Sequence, residues 1–155
     1  MPYQFRKMTQ YEAEEIAYQW KYPEPYSFYD MTADPEDLEE FLDSKERGES
    51  YFSVYDGQEL IGFWCATQPD QTAVEIGLGM KPEITGKGKG IEFIKAGIAF
   101  TEMSCKSEKI VLSVAAFNKR AIRVYQQAGF KTLHYFNQDT NGSTYSFVKM
   151  ELLLK

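Results

Sequence analysis

Histidine and cysteine are almost absent from this chain, which has one His and two Cys in 155 residues. That scarcity excludes a structural zinc site, which needs four clustered nitrogen and sulfur ligands. Cys65 and Cys105 lie far apart, each inside an apolar-flanked element pattern. They read as buried, reduced thiols of a cytoplasmic protein and not as a disulfide framework. Long apolar runs are also missing: none approaches the roughly 20 residues needed to cross a bilayer. Residues 1–10 are polar and lack the charged-then-apolar order of an export signal. Repeats and low-complexity segments are absent too, so the expectation is one domain over residues 1–155, long enough to bury a real core.

Basic residues are scarce in the first part of the chain. Residues 1–60 hold 15 acids against 5 bases, a balance of −10, within a net charge of −6. Residues 81–131 reverse this with 4 acids and 10 bases, a balance of +6. The acidic front argues against nucleic acid as a partner and suits a cationic substrate. A solvated acidic helix over Asp34–Glu49 explains the same excess. The basic second part suits an anionic ligand, or simply keeps the protein soluble.

The most informative stretch present is 77–91, Gly-Leu-Gly-Met-Lys-Pro-Glu-Ile-Thr-Gly-Lys-Gly-Lys-Gly-Ile. An apolar strand pattern from Val74 to Met80 leads through a Pro turn to glycines at alternate positions, Gly86, Gly88 and Gly90, interleaved with Lys87 and Lys89. A helical pattern follows in Ile91, Phe93, Ile94 and Ile98. Backbone N–H groups at such a helix start have no intrahelical acceptor. With the helix dipole and two lysines they make a phosphate or pyrophosphate site, whereas a flexible strand-to-helix loop is the plain alternative. Gly88 follows Lys87 where a Walker motif needs Ser or Thr, and the G-x-G-x-x-G spacing also fails.

The remaining elements follow from periodicity and turn signals. Tyr3–Lys7 reads as a first strand, and Thr9 with Glu12 as a capping box for a helix to about Gln19. The Pro- and aromatic-rich stretch 22–32 reads as a loop with a short turn of helix. Asp34-Pro35 opens a helix that Gly48 ends. Tyr51–Tyr55 and Leu60–Thr67 form a hairpin about Asp56-Gly57. Strands at Ala73–Met80 and Lys109–Ala115 flank a helix from Gly88 to about Met103. Asn118 caps a helix to Ala128 that Gly129 stops. A last hairpin pairs Phe130–Asn137 with Ser143–Leu152. The order β-α-α-β-β-β-α-β-α-β-β is that of an α/β domain with a mixed sheet.

After the strand ending at Ala115 comes Asn118, with Tyr125 seven residues on and then Gly129-Phe130. This block and the glycine turn resemble the GCN5-related N-acetyltransferase (GNAT) superfamily. Thr85, Gly88 and Gly90 stand in the places of its Q/R-x-x-G-x-G/A acetyl-CoA motif. The motifs cover roughly residues 50–135, and the rest fits by element order. The resemblance implies the GNAT fold: a central mixed, mostly antiparallel sheet of about seven strands flanked by about four helices. It also implies that Ala73–Met80 and Lys109–Ala115 splay apart to admit the cofactor. Thr85 departs from the usual Arg or Gln; Lys87 and Lys89 offer compensation, and its hydroxyl can donate a hydrogen bond.

The resemblance further implies acetyl-CoA as co-substrate, without metal, and acetyl transfer to a primary amine. The cofactor would be held by Leu78, Gly79, Met80, Thr85, Gly86, Lys87, Gly88, Lys89, Gly90 and Asn118. Strand amides at Leu78–Met80 would polarise the thioester carbonyl, and Gly77 and Gly79 would allow a close approach or a bulge. Tyr125 would protonate the departing thiolate, although its helical spacing with Ala121, Ile122 and Ala128 equally suits core packing. Asn118 is an N-cap by default, and a cofactor hydrogen bond is compatible with that. Glu75, in an otherwise apolar run, is the candidate base if it is buried; strand alternation allows it to face outward instead. Asp30, or no protein base at all, is the alternative, and His134 reads as a surface or packing residue. The acceptor would be set by Tyr18, Trp20, Tyr22, Tyr26, Phe28, Tyr29 and Asp30 and the loop 137–143. Those aromatics can hold a cationic amine or form the core of small helices. The expected partners are therefore acetyl-CoA and a cationic amine, with no nucleic acid or membrane, in a monomer or homodimer. A non-catalytic acyl-CoA-binding domain of the same fold is the alternative reading.

Overall fold

The computed structural model describes residues 3–85 and 88–154. Gly86 and Lys87, two of the expected cofactor residues, lie outside the described residues. Among the described residues seven strands form one sheet: β1 (Tyr3–Lys7), β2 (Tyr51–Asp56), β3 (Glu59–Thr67), β4 (Ala73–Met80), β5 (Lys109–Ala115), β6 (Lys131–Thr140) and β7 (Ser143–Leu153). Their spatial order is β1-β2-β3-β4-β5-β7-β6. β4 and β5 pair in parallel and every other neighbouring pair is antiparallel.

The helices are α1 (Gln10–Gln19), α2 (Pro35–Leu42), α3 (Ser44–Arg47), α4 (Gly90–Ser104) and α5 (Lys119–Gln127). Thr9 caps α1 in the expected box with Glu12. The acidic helix expected to run on to Gly48 is instead two. Asp43 adopts an extended backbone and its carboxylate accepts the Lys45 N–H at 2.9 Å, starting a new turn. An Asp that bonds a backbone donor ahead of it competes with the helix it would otherwise continue. α4 begins at Gly90 and not at Gly88, whose φ of +76° is incompatible with a right-handed helix. The stretch 22–33 carries two short 3-10 turns, Tyr26–Tyr29 and Met31–Ala33. Both cysteines are half-buried and unpaired by disulfide, and burial raises the Cys65 thiol pKa.

Two apolar clusters cover the two sheet faces. Trp64, Ile76, Phe93, Ile94, Leu112 and Val148 belong to the one that packs α4 and α5, with Tyr125 at its border. Ile16, Ala17, Trp20, Phe41 and Leu60 form the other, under α1 and α2. α4 lies unusually close to the sheet. A Cβ on Gly97 would stand 2.2 Å from the Trp64 ring. The indole N–H donates to Thr101 Oγ1 at 3.0 Å, and that hydroxyl donates to the Gly97 carbonyl at 2.8 Å. No described buried side-chain polar atom is left without a partner. This approach sets where the start of α4 meets the end of β4.

Gly97→Ala is expected to cost about 2 kcal/mol, because overpacking against a rigid indole outweighs the helix propensity of Ala. Thermal unfolding should then fall by about 6 °C. An unchanged midpoint would show that α4 does not need this glycine.

Candidate active site

β4 and β5 share register only over Ala73–Glu75 and Lys109–Val111. Beyond those pairs they diverge, as the resemblance implied, and a cavity of about 480 Å³ opens between them. That volume is in the range of small-molecule sites. Ile76–Met80 line one side, Leu112–Val114 and Asn118 the other, and Gly88, Gly90 and Ile91 the end where α4 begins.

Backbone alternation orients the β4 lip. The Lys81 N–H bonds the Ile61 carbonyl of β3 at 2.8 Å. Alternate residues therefore turn the N–H and C=O of Met80 and Leu78 the other way, toward the gap. The Met80 carbonyl there accepts the Tyr22 hydroxyl at 2.7 Å. The neighbouring glycines have separate jobs. A Cβ on Gly79 would stand 2.4 Å from the Phe63 ring, so this glycine seats a side chain of the cavity wall. Gly77 has only Cys65 nearby, at 3.8 Å, and leaves the floor open. No bulge interrupts the β3–β4 register, so the bulge reading of these glycines is not needed.

At the other end α4 starts without a side-chain cap, leaving its first amides for another acceptor. Gly88 and Gly90 both line the cavity. A Cβ on Gly88 would meet nothing within 4 Å, but its positive φ disfavours any other residue. This cradle fits a pyrophosphate. Thr85 also lines the cavity, yet its hydroxyl donates to the Pro82 carbonyl at 2.8 Å and has no second proton to give. Lys89 is the N-cap residue, exposed and off the cavity wall.

Asn118 is buried and uses both ends of its amide. Oδ1 accepts the Ala121 N–H at 3.1 Å, and Nδ2 donates to Tyr29 Oη at 3.1 Å. One Nδ2 proton remains for a ligand. Tyr125 lines the same cavity, its ring 6.0 Å from that of Phe130. Burial pushes its phenol well above the ordinary tyrosine value, and the neighbouring Tyr29 raises it further. It is therefore protonated across the physiological range. The packing and acid readings of Tyr125 are compatible, because a ring at the core border can present its hydroxyl to the gap.

Glu75 does not join this group. It is exposed, off the cavity wall, at the end of β4 where the strands are still paired. Its pairing opposite Thr67 sets it on the Gly77–Gly79 face, toward α1 and α2. The aromatics expected at the acceptor end divide. Trp20 is core, Tyr18 is exposed, and Tyr22, Tyr26 and Tyr29 line the cavity. Asp30 accepts the Tyr22 backbone N–H at 2.9 Å. His134 is exposed on β6. Sequence reading missed Phe63 and Arg120, both on the cavity wall, with the Arg120 guanidinium 4.3 Å from the Tyr26 ring centre. No group of His, Cys, Asp and Glu among the described residues could hold a metal, and no described helix is long and apolar enough to cross a membrane.

Several solved structures share this architecture. A chimera of the spermidine N-acetyltransferase SpeG from Vibrio cholerae and hSSAT superposes with a TM-score of 0.75 at 21% identity, covering 99% of this chain and 96% of that one. The Vibrio cholerae spermidine N-acetyltransferase in complex with CoA and spermine gives 0.73 at 21% identity, over 98% and 95% of the two chains. The Campylobacter jejuni N-acetyltransferase PseH gives 0.67 at 23% identity, over the whole of both chains. At these identities the likeness is one of fold. A search of curated protein sequences found no match. The family profile described as acetyltransferase (GNAT) family matches residues 12–130, the span that holds most of α1, the splayed strands, the glycine turn and α5. The chain belongs to the GNAT family of acetyltransferases.

Proposed function

We propose that the protein is an acetyl-CoA-dependent N-acetyltransferase acting on a primary amine. The observation that carries this reading is the protonated phenol of Tyr125 in a cavity that also holds the open β4 lip and the uncapped start of α4. The start of α4, with Gly88 and Gly90, takes the pyrophosphate. The amides of Leu78 and Met80 donate to the thioester carbonyl as negative charge grows on its oxygen. The amine nitrogen bonds to the acetyl carbon, and the bond from that carbon to sulfur breaks. Tyr125 gives its proton to the departing sulfur and regains one from solvent. The amine must lose a proton to react, since an alkylamine with pKa near roughly 10 is mostly charged at neutral pH. No carboxylate lines the described cavity wall, so that proton leaves through water, and Glu75, exposed away from the gap, does not take it by direct contact.

The acceptor is assigned as cationic in solution. The acidic residues 1–60 attract it from outside, since the described cavity wall carries no carboxylate. Thr85 keeps the binding-domain alternative alive, because its hydroxyl is committed within the protein.

Tyr125→Phe is expected to lower kcat by about 10²-fold with little change in the acetyl-CoA KM. Turnover at the wild-type rate would return Tyr125 to a packing role. CoA binding without turnover of any amine would favour the binding-domain reading. The acceptor kcat/KM should fall as salt rises, because steering is screened over roughly 10 Å at 0.1 M ionic strength. A preference for neutral or anionic acceptors, with no salt dependence, would contradict the assignment.

A further inference from the structure

The stretch 22–33 crosses the gap that the sheet leaves open and is fastened on both sides. On the β4 side, Tyr22 Oη donates to the Met80 carbonyl at 2.7 Å. On the α5 side, Tyr29 Oη accepts from Asn118 Nδ2 at 3.1 Å. Behind it, Phe28 packs edge-on to Phe117 and Tyr145, with ring centres 5.4 and 4.7 Å away. The Phe28 carbonyl accepts Asn141 Nδ2 at 2.8 Å. Asp34, just after the stretch, accepts the Asn141 N–H at 2.9 Å. Burial raises the Tyr22 phenol far above its ordinary value, so it remains a donor to Met80.

The Asn118 contact has a particular consequence. Oδ1 holds the Ala121 N–H in the first turn of α5, and Tyr125 lies one turn further along the same helix. An Asn amide can be turned over, exchanging its donor and acceptor ends. The Ala121 N–H can only donate, so it requires Oδ1 at the helix, and the Tyr29 hydroxyl then satisfies and anchors the Nδ2 end. Without it, the buried Nδ2 loses this partner, and the amide that caps α5 is held from one end only.

We propose that Tyr29 is a positioning residue for the proposed acetyl transfer: through Asn118 it sets the first turn of α5 and so the direction of the Tyr125 hydroxyl. This rests on the proposed function only for its kinetic consequence. Because Tyr29 also lines the cavity, an acceptor that settles beneath the 22–33 stretch presses on the residue that aligns the acid. Acceptor binding and proton delivery are thereby linked.

Tyr29→Phe removes the hydroxyl and keeps the ring packed against Phe117. Two readouts test the proposal. Hydrogen exchange on the purified protein should show the Ala121 amide losing at least about 10-fold of its protection in Tyr29→Phe, while amides in the middle of α4 are unchanged. In kinetics, Tyr29→Phe should lower kcat about 10-fold, but less than about 2-fold further when Tyr125 is already Phe, as expected of a residue acting through another. Unchanged Ala121 protection would overturn the proposal, and so would losses that multiply in the double variant. If the wild-type protein transfers no acetyl group, the proposed function fails and the exchange result alone decides the role of Tyr29.

Discussion

The divergence of β4 from β5 is the constraint on which the rest of the structure depends. Parallel neighbours ordinarily satisfy one another's backbone along their whole length. Here the pairing stops after Glu75 and Val111, leaving amides and carbonyls of β4 directed into a gap. Such groups need partners, and one is already supplied: the Met80 carbonyl takes the Tyr22 hydroxyl. A gap of this kind accepts an extended, amide-bearing molecule, because that is what a missing strand would have been. Pantetheine has that shape, and the uncapped start of α4 stands at the end of the gap where its pyrophosphate would lie.

The surrounding elements hold the gap at a usable width. β5 keeps its place because β7 pairs with it along its full length. α4 is seated by the contact of Gly97 with the Trp64 ring, which fixes Gly90 relative to Met80. α5 starts at Asn118, immediately beyond the end of β5, and carries Tyr125 along the cavity wall. The stretch 22–33 closes the remaining side and ties both lips together. Stability and chemistry therefore draw on the same few contacts.

The strands were legible in the sequence for clear reasons. Ala73–Met80 and Lys109–Ala115 are apolar runs bounded by turn formers, and both have those bounds in the structure. The capping signals of Thr9, Asp34 and Asn118 also act where read. What was not legible depended on contacts distant in sequence. Phe28 meets Tyr145 and Phe147, more than 100 residues away, and nothing periodic marks it. Alternation left the face of Glu75 open, and the strand proved to be still paired there with Glu75 exposed. Gly79 looked like room for a ligand and is room for Phe63. Thr85 looked like a donor to the ligand, and its proton goes to Pro82. In each case the residue type was informative, and the competing local partner was not.

A crystal structure of the protein with CoA tests the central claim most directly. The account predicts pantetheine between β4 and β5, hydrogen-bonded to the backbone of Leu78 and Met80. The pyrophosphate should lie against Gly88 and Gly90, and the sulfur within hydrogen-bond reach of the Tyr125 hydroxyl. CoA bound outside the gap, or with its sulfur directed away from Tyr125, would contradict it.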